Sequence, residues 1–431
     1  VTTTPHAAHP RETRPKDPAD ISSTAFWSKT AAERETTFAE LRAERPVSWH
    51  APIEGLMFED PNDQGFWAVT RHADLIEATK RHEDFLSGEG ILMESMPQEL
   101  LDTAQGFIAM DPPRHTKIRR LLTSAFTPRQ LDRINGQIDA NAAAVVDGIA
   151  AKGSVDFVAE VAALVPMHNI CDMMGVPQEV RAKVAHEAQF AGSWNDPELL
   201  DGAEPLPRLF EASGYIFEVA SDLIAQRRRK PEADLMTNLV QAEVDGEQLT
   251  DEEIISFFGL LTVAGNDTTR QSLSHTMKAL TDFPDQREWL MADFDGRIKP
   301  AVEEMVRWAT PIMTFRRTAA RDCELNGAQI TAGDKVVLFY ASANWDTEVF
   351  DHPERLNLGR NPNPHIAFGG GGIHHCLGGQ LARRQITATW RELLHRLPDI
   401  AVSGEPSYTV SNFFHGVNHL PVTFTPERRP A

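Results

Sequence analysis

Cysteine is scarce in this chain of 431 residues, with only Cys171, Cys323 and Cys376. An odd, sparse set offers no disulfide framework, fits a reducing compartment and leaves each thiol free for chemistry. Long hydrophobic runs are missing as well. The apolar stretches are too short to span a bilayer, and Val1–Asp20, rich in Pro, Thr and charge, reads as neither signal peptide nor membrane anchor. Positive charge is in deficit: 42 Lys and Arg stand against 62 Asp and Glu, a net charge of −20. Such a chain is a poor general ligand for nucleic acid or anionic membrane. It has no internal repeat and no Gly/Ser linker. What remains is a soluble, cytoplasmic protein, with a flexible segment expected over residues 1–20 and a single domain over 21–431. That length can bury a large core and still enclose a cofactor.

From Pro112 to Pro398 the pattern is mostly helical. Upstream, Phe26–Ala43 has helical character and stops before Pro46. Ala140–Ala150 is rich in Ala and Val, and Tyr215–Arg229 sets Ile216, Val219, Leu223 and Ile224 on one face. The clearest helix is Asp251–Phe283, with Thr250 and Glu253 forming a capping box and Pro284 the stop. At 1.5 Å per residue it would be about 50 Å long. Strands are expected at Phe66–Thr70, on both sides of Asn326-Gly327, at Lys335–Tyr340 and as a last pair around Val417-Asn418. Ser87–Gln105 has no clear period and reads as a mobile loop. The expected class is mainly α with small peripheral β-sheets.

The sharpest feature runs from Phe368 through Gly369–Gly372 to Ile373-His374-His375-Cys376-Leu377-Gly378-Gly379. A glycine run lets the backbone approach something large. Cys376 stands just before a predicted helix, whose free N–H groups favour a thiolate, and Gly378 keeps side chains away from that sulfur. Such a sulfur on a flat platform suits one axial ligand of a haem. Zinc is disfavoured because adjacent residues chelate one ion poorly and no CxxC or HxxxH partner exists. A phosphate loop is excluded by the missing Gly-Lys-Ser/Thr ending.

The stretch resembles the cysteine-ligand loop of the cytochrome P-450 haem-thiolate monooxygenases, and further matches run in order from Asp111 to Cys376. Phe368 stands eight residues before the cysteine where the usual spacing is seven, owing to one additional glycine. This form is similar to an actinobacterial branch acting on methyl-branched lipids, terpenoids and sterol side chains. The resemblance implies the cytochrome P-450 fold, with a long helix over haem b, and His374 facing a haem propionate.

Midway along the long helix lies Ala264-Gly265-Asn266-Asp267-Thr268-Thr269. Glycine and β-branched threonines are poor interior helix formers, which predicts a local widening and a threonine hydroxyl freed from the backbone. Beside a haem, Asp267 and Thr268 form an acid–alcohol pair able to hold water and pass protons to dioxygen.

Glu304 and Arg307 lie i,i+3 and can pair across one helix turn. The resemblance implies that they are buried and joined by Arg355, as a structural lock on the loop leading to the cysteine. Trp345 departs from the arginine expected at its position. His115 and Arg119, i,i+4 in Asp111-Pro112-Pro113-Arg114-His115, match the family's propionate-binding pattern. Arg317 does so too, with Arg316 its competitor because strand alternation lets only one point inward. By the same resemblance the substrate lining would comprise Ile91, Leu92, Met93, Phe107, Leu260, Val263, Ala264, Ile312, Met313, Phe413 and Phe414.

The implied activity is hydroxylation of a methyl-branched fatty acid, an isoprenoid or a sterol side chain, using dioxygen. No flavin or iron–sulfur motif is present, so electrons are expected from ferredoxin and ferredoxin reductase. Arg114, Lys117, Arg120, Arg383 and Arg384 would form a basic docking patch. The competing readings are a peroxide-driven peroxygenase and a haem-binding sensor or ligand carrier without turnover.

Overall fold

The computed structural model describes residues 14–58, 60–96, 101, 105–125, 128–192, 194, 197–200 and 202–427. Helix α1 (Ala31–Glu44) starts at a second capping box. The Thr30 hydroxyl accepts from the Glu33 N–H, and the Glu33 carboxylate accepts from the Thr30 N–H. This box divides the helix expected over 26–43 into Thr24–Trp27 and α1.

Strands β1 (Val47–His50) and β2 (Phe66–Val69) come next, then α2 (His72–Lys80) and β3 (Phe85–Leu86). The helices α3 (Arg114–Ala125), α4 (Pro128–Ile149), α5 (Leu164–Met174), α6 (Gln178–Gly192) and α7 (Pro205–Arg229) lead to α8 (Asp251–Asp282), against which α5, α6 and α7 pack. Then follow α9 (Phe294–Ala309), β4 (Thr314–Ala319), β5 (Lys335–Phe339) and α10 (Gly379–Arg396). The main sheet has the order β1-β2-β5-β4-β3, with only the β2–β5 pair parallel.

Thr250 and Glu253 cap α8 as the sequence predicts, and the helix closes at Phe283. It sits between two apolar cores. One gathers around Trp390 of α10, with Leu273, Met277 and Leu280 of α8; the other joins Ile254, Phe257 and Phe258 to α5 and α7. The buried face of α7 carries Ile216, Val219, Leu223 and Ile224. Among the described residues no helix is long and apolar enough to cross a membrane.

The hairpin Cys323–Leu325/Ala328–Ile330 turns on Asn326 (φ 47°) and Gly327 (φ 79°), both left-handed as a two-residue turn requires. The last two strands, Val417–His419 and Pro421–Thr423, do not pair with each other. The first joins Ser407–Tyr408, and the second lies between Ala401–Val402 and Ser154–Asp156. The flexible segment expected over 1–20 is in part outside the described residues. Its described part is tied down: Arg14 lies over the rings of Trp49 (5.0 Å) and Trp67 (5.2 Å) and pairs with Asp334. The Asp17 N–H also reaches the Trp49 carbonyl at 2.7 Å.

Candidate functional site

A cavity of about 700 Å³ separates α8 from the segment 367–386. Cys376 opens onto it from below. Helix α10 begins three residues later with Gly378 as its N-cap, and the N–H groups of Gly378 and Gly379 bond to the sulfur. The Cys376 N–H donates to the Phe368 carbonyl at 2.9 Å, closing the loop. Burial pushes the thiol up, opposed by the Gly378 N–H and by the Arg119 and Arg383 guanidiniums.

The glycines have separate causes. Gly369 (φ 101°) and Gly371 (φ 84°) occupy left-handed backbone. Gly370 and Gly372 press on the end of α2, where a Cβ would run into Thr79 Oγ1 and the Thr79 carbonyl oxygen respectively. Beside Gly378 there is nothing within 4 Å of an added Cβ, so the floor by the sulfur is open.

One flank of this floor holds ring nitrogens without partners beside two arginines. His115 of α3 and His374 have ring centroids 4.3 Å apart. Both His115 nitrogens and Nδ1 of His374 are buried without a hydrogen-bond partner, while His374 Nε2 meets Ser87 Oγ at 3.1 Å. Burial, reinforced by the nearby arginines, pushes His115 down to about 4 and His374 down to about 2. Arg317 of β4 is buried beside them and donates to the Arg316 carbonyl at 2.7 Å. Arg119 donates to the His375 carbonyl at 2.7 Å. Arg316 faces away from the cavity, toward the Glu94 carbonyl and Thr318 Oγ1. Buried donors left without acceptors are costly and call for a partner. A sulfur ligand, an open floor and a flank suited to carboxylate arms fit haem b.

Across the cavity α8 is α-helical throughout, so the predicted widening is absent. Thr268 Oγ1 donates to the Ala264 carbonyl at 2.8 Å, so its hydroxyl is not free of the backbone as expected. Back-bonding of this kind lets a threonine sit inside a helix. Gly265 answers to packing, since a Cβ there would come within 2.8 Å of Ile170 on α5. Thr268 lines the cavity and Asp267 does not. The Asp267 carboxylate is fully buried, pairs with Arg270 at 3.0 Å and faces Gly192 of α6. Burial pushes it up and Arg270 pulls it down. The acid–alcohol pair therefore does not share one wall.

Glu304 and Arg307 are wholly buried, joined by Nε and Nη2 each at 2.8 Å. The third member is Arg360, whose Nε lies 3.0 Å from Glu304 Oε2, and not Arg355, which is exposed. The chain after Pro353 returns to Glu304 first with the Asn357 N–H, 3.0 Å from Oε1, and then with Arg360, while Arg355 supplies only a backbone carbonyl to the Arg360 guanidinium. Arg307 continues to the Asn344 carbonyl, and Asn344 Oδ1 accepts from the Ile366 N–H just ahead of the cysteine loop. Trp345, where arginine was expected, packs on Trp308 at 5.6 Å.

Ile91, Leu92, Met93, Phe107, Leu260, Val263, Ala264, Ile312, Phe413 and Phe414 line the cavity. Met313 does not. It points into the core beneath β5, where Arg34 reaches its sulfur, because adjacent side chains of extended backbone face opposite ways. Sequence reading missed Leu56, Met57 and Phe58 from the β1–β2 connection, together with Trp194 and Phe217. Their apolar character was visible, but nothing local marks them as cavity-facing. The expected basic patch is largely neutralised within the chain. Lys117 pairs with Glu247 (3.2 Å), Arg120 with Asp245 (2.7 Å), Arg383 with Glu303 (2.6 Å), and Arg384 with Asp139.

Comparison with known proteins matches this geometry. The family model described as Cytochrome P450 covers residues 62–398. The methyl-branched lipid omega-hydroxylase of Mycobacterium tuberculosis is 40% identical over 409 residues, 94% of each chain. The steroid C26-monooxygenase of Mycolicibacterium smegmatis is 37% identical over 392 residues, 90% of each chain. Among solved structures, Mycobacterium marinum cytochrome P450 CYP268A2 in complex with pseudoionone superposes with a TM-score of 0.92. It is 56% identical, with 96% of this chain and 100% of that one covered.

Proposed function

This chain belongs to the cytochrome P450 family, the haem b monooxygenases, and from that premise we propose that it hydroxylates a methyl-branched lipid, an isoprenoid or a sterol side chain. One observation carries the proposal: the Cys376 sulfur, under two backbone N–H groups, opens into an apolar cavity whose facing wall is Thr268 on α8. Relatives named for lipid omega-hydroxylation and steroid C26 oxidation support the substrate class, as does the relative bound to pseudoionone.

In this reading Cys376 ligates the iron, and His115, Arg119, Arg317 and His374 take the propionates. The haem supplies activation of dioxygen with two electrons and two protons, placing one oxygen atom in a C–H bond and releasing the other as water. The chain's own residues bind, orient and keep the site dry. Ile312, Phe413 and Phe414 hold the lipid against α8, excluding water from the oxidised carbon. Thr268 Oγ1, with its proton given to the Ala264 carbonyl, presents lone pairs to the cavity. From there it can accept a hydrogen bond from a water and hold that water in place as the proton donor; to donate its own proton it must first release the Ala264 carbonyl. Asp267, behind it, reaches this water only by leaving Arg270. Electrons come from a separate cytoplasmic ferredoxin and its reductase.

The test is the carbonyl adduct of the reduced, undenatured holoenzyme, expected to carry the red-shifted Soret band of a thiolate ligand. Its absence removes Cys376 from the iron and the proposal with it. Titration with branched fatty acids, terpenoids and sterones should then give a low-to-high-spin shift with at least one class.

A further inference from the structure

Charge in the cavity is lopsided. The two arginines among its described lining residues, Arg119 and Arg317, both belong to the wall that carries Cys376 and His374. Away from that wall one charged side chain lines the space, the acid Glu94. It is 7% exposed, and its carboxylate accepts from the Met57 N–H at 3.0 Å and from the Phe58 N–H. Among the described residues no cation is bonded to its carboxylate, and Lys335 acts on it only through space. Lys335 is bonded to Asp63 at 2.6 Å, and Arg316 bonds the Glu94 carbonyl rather than its carboxylate. Burial pushes the Glu94 carboxyl up, as expected for an acid without a salt bridge.

The sequence around the cavity continues the theme. Three stretches supply Leu56–Phe58, Ile91–Glu94, Met96, Phe107 and Trp194 to its walls, namely 46–70, 82–113 and 184–207. Together they contain sixteen Asp and Glu and no Lys or Arg, although basic residues flank each stretch and Asp63, Asp84 and Glu187 pair with Lys335, Arg81 and Arg208.

Resting on the monooxygenase reading above, we propose that the enzyme selects lipids whose end remote from the oxidised carbon is uncharged, and that Glu94 is a specificity-determining residue against free carboxylates. A carboxylate entering this end sheds its water without meeting a cation and comes to rest near a second acid. An alcohol loses little on entering and can donate to Glu94, while ketones, esters and plain hydrocarbon suffer no charge penalty. The polar wall thus discriminates by what it refuses.

The experiment is a spin-state titration of the holoenzyme at pH 8 with two ligands matched in carbon skeleton, farnesol and farnesoic acid. Farnesol is expected to bind at least tenfold more tightly. Glu94→Gln should narrow that gap severalfold, chiefly by improving the acid, since the amide oxygen can still accept from farnesol. High salt should likewise weaken the discrimination in the wild type. Equal affinities, or tighter binding of the acid, overturn the proposal. A gap unchanged in Glu94→Gln removes Glu94 from it. The carbonyl spectrum of the same sample keeps the outcomes apart: a thiolate-type band with equal affinities defeats only the selectivity, and its loss defeats the monooxygenase reading. If Glu94→Gln fails to hold cofactor, the wild-type pair at low and high salt decides the question alone.

Discussion

Thr268 and Asp267 are neighbours in sequence with different surroundings, and substitution should separate them. Thr268→Ala removes a hydroxyl already bonded to its own helix, so stability should move by less than about 0.5 kcal/mol in urea unfolding. Product formed per electron delivered should nevertheless fall at least about tenfold, in keeping with the worth of a positioned proton-transfer group. Asp267→Ala strands the Arg270 guanidinium inside the fold, and breaking such a buried pair costs about 3–5 kcal/mol. Activity and folding should therefore fall together in that variant. A stable Asp267→Ala protein would mean that the Arg270 pairing contributes nothing. At this scale the sequence was most readable where chemistry is local: Cys376, His374 and Arg317 lie together on the cavity wall, with His115 packed on His374. It was least readable for Met313 and Asp267, where rotation about one backbone position decides which side of an element a side chain serves.

The buried carboxylate of α9 distinguishes two arginines five residues apart. Arg360→Ala removes a charge partner from Glu304 and should destabilise by about 3 kcal/mol or more, whereas exposed Arg355→Ala should stay within about 0.5 kcal/mol. Denaturant midpoints of the two variants check this directly, and equal losses would refute the assignment. The α8 cap is a milder case: Thr250→Ala should cost about 1 kcal/mol. The two capping boxes, the Asn326-Gly327 hairpin and the span of α8 were legible because each is written in a few contiguous residues. The pairing of Val417–His419 and the partner of Glu304 were not, since both depend on chain that returns from afar.

The whole molecule carries a pH liability in its interior. His275 of α8 and His415, next to the cavity residues Phe413 and Phe414, stack at 3.8 Å. His275 Nε2 bonds the His415 carbonyl, and His415 Nδ1 bonds the Ala309 carbonyl. Burial pushes His275 down to about 4 and His415 well below its ordinary value, with Arg34 adding to both. Below about pH 6.5 the unfolded chain takes up protons that these rings refuse, so stability falls as the pH drops toward about 4. By pH 5 the loss should be on the order of 2 kcal/mol from His275, visible as a falling melting temperature between pH 7 and 5. His275→Gln should flatten that slope; an unchanged slope would place the sensitivity elsewhere. Composition could forecast an acidic, cofactor-sized domain, but not which histidines the fold would seal away from protons.

Thr79 lies against Gly370 through its side chain and against Gly372 through its backbone. The two glycines should therefore differ in genetic suppression. Gly370→Ala, crowded by a hydroxyl that can be deleted, should regain haem occupancy when combined with Thr79→Ala. Gly372→Ala meets a carbonyl that every residue carries at position 79, so no replacement there should rescue it.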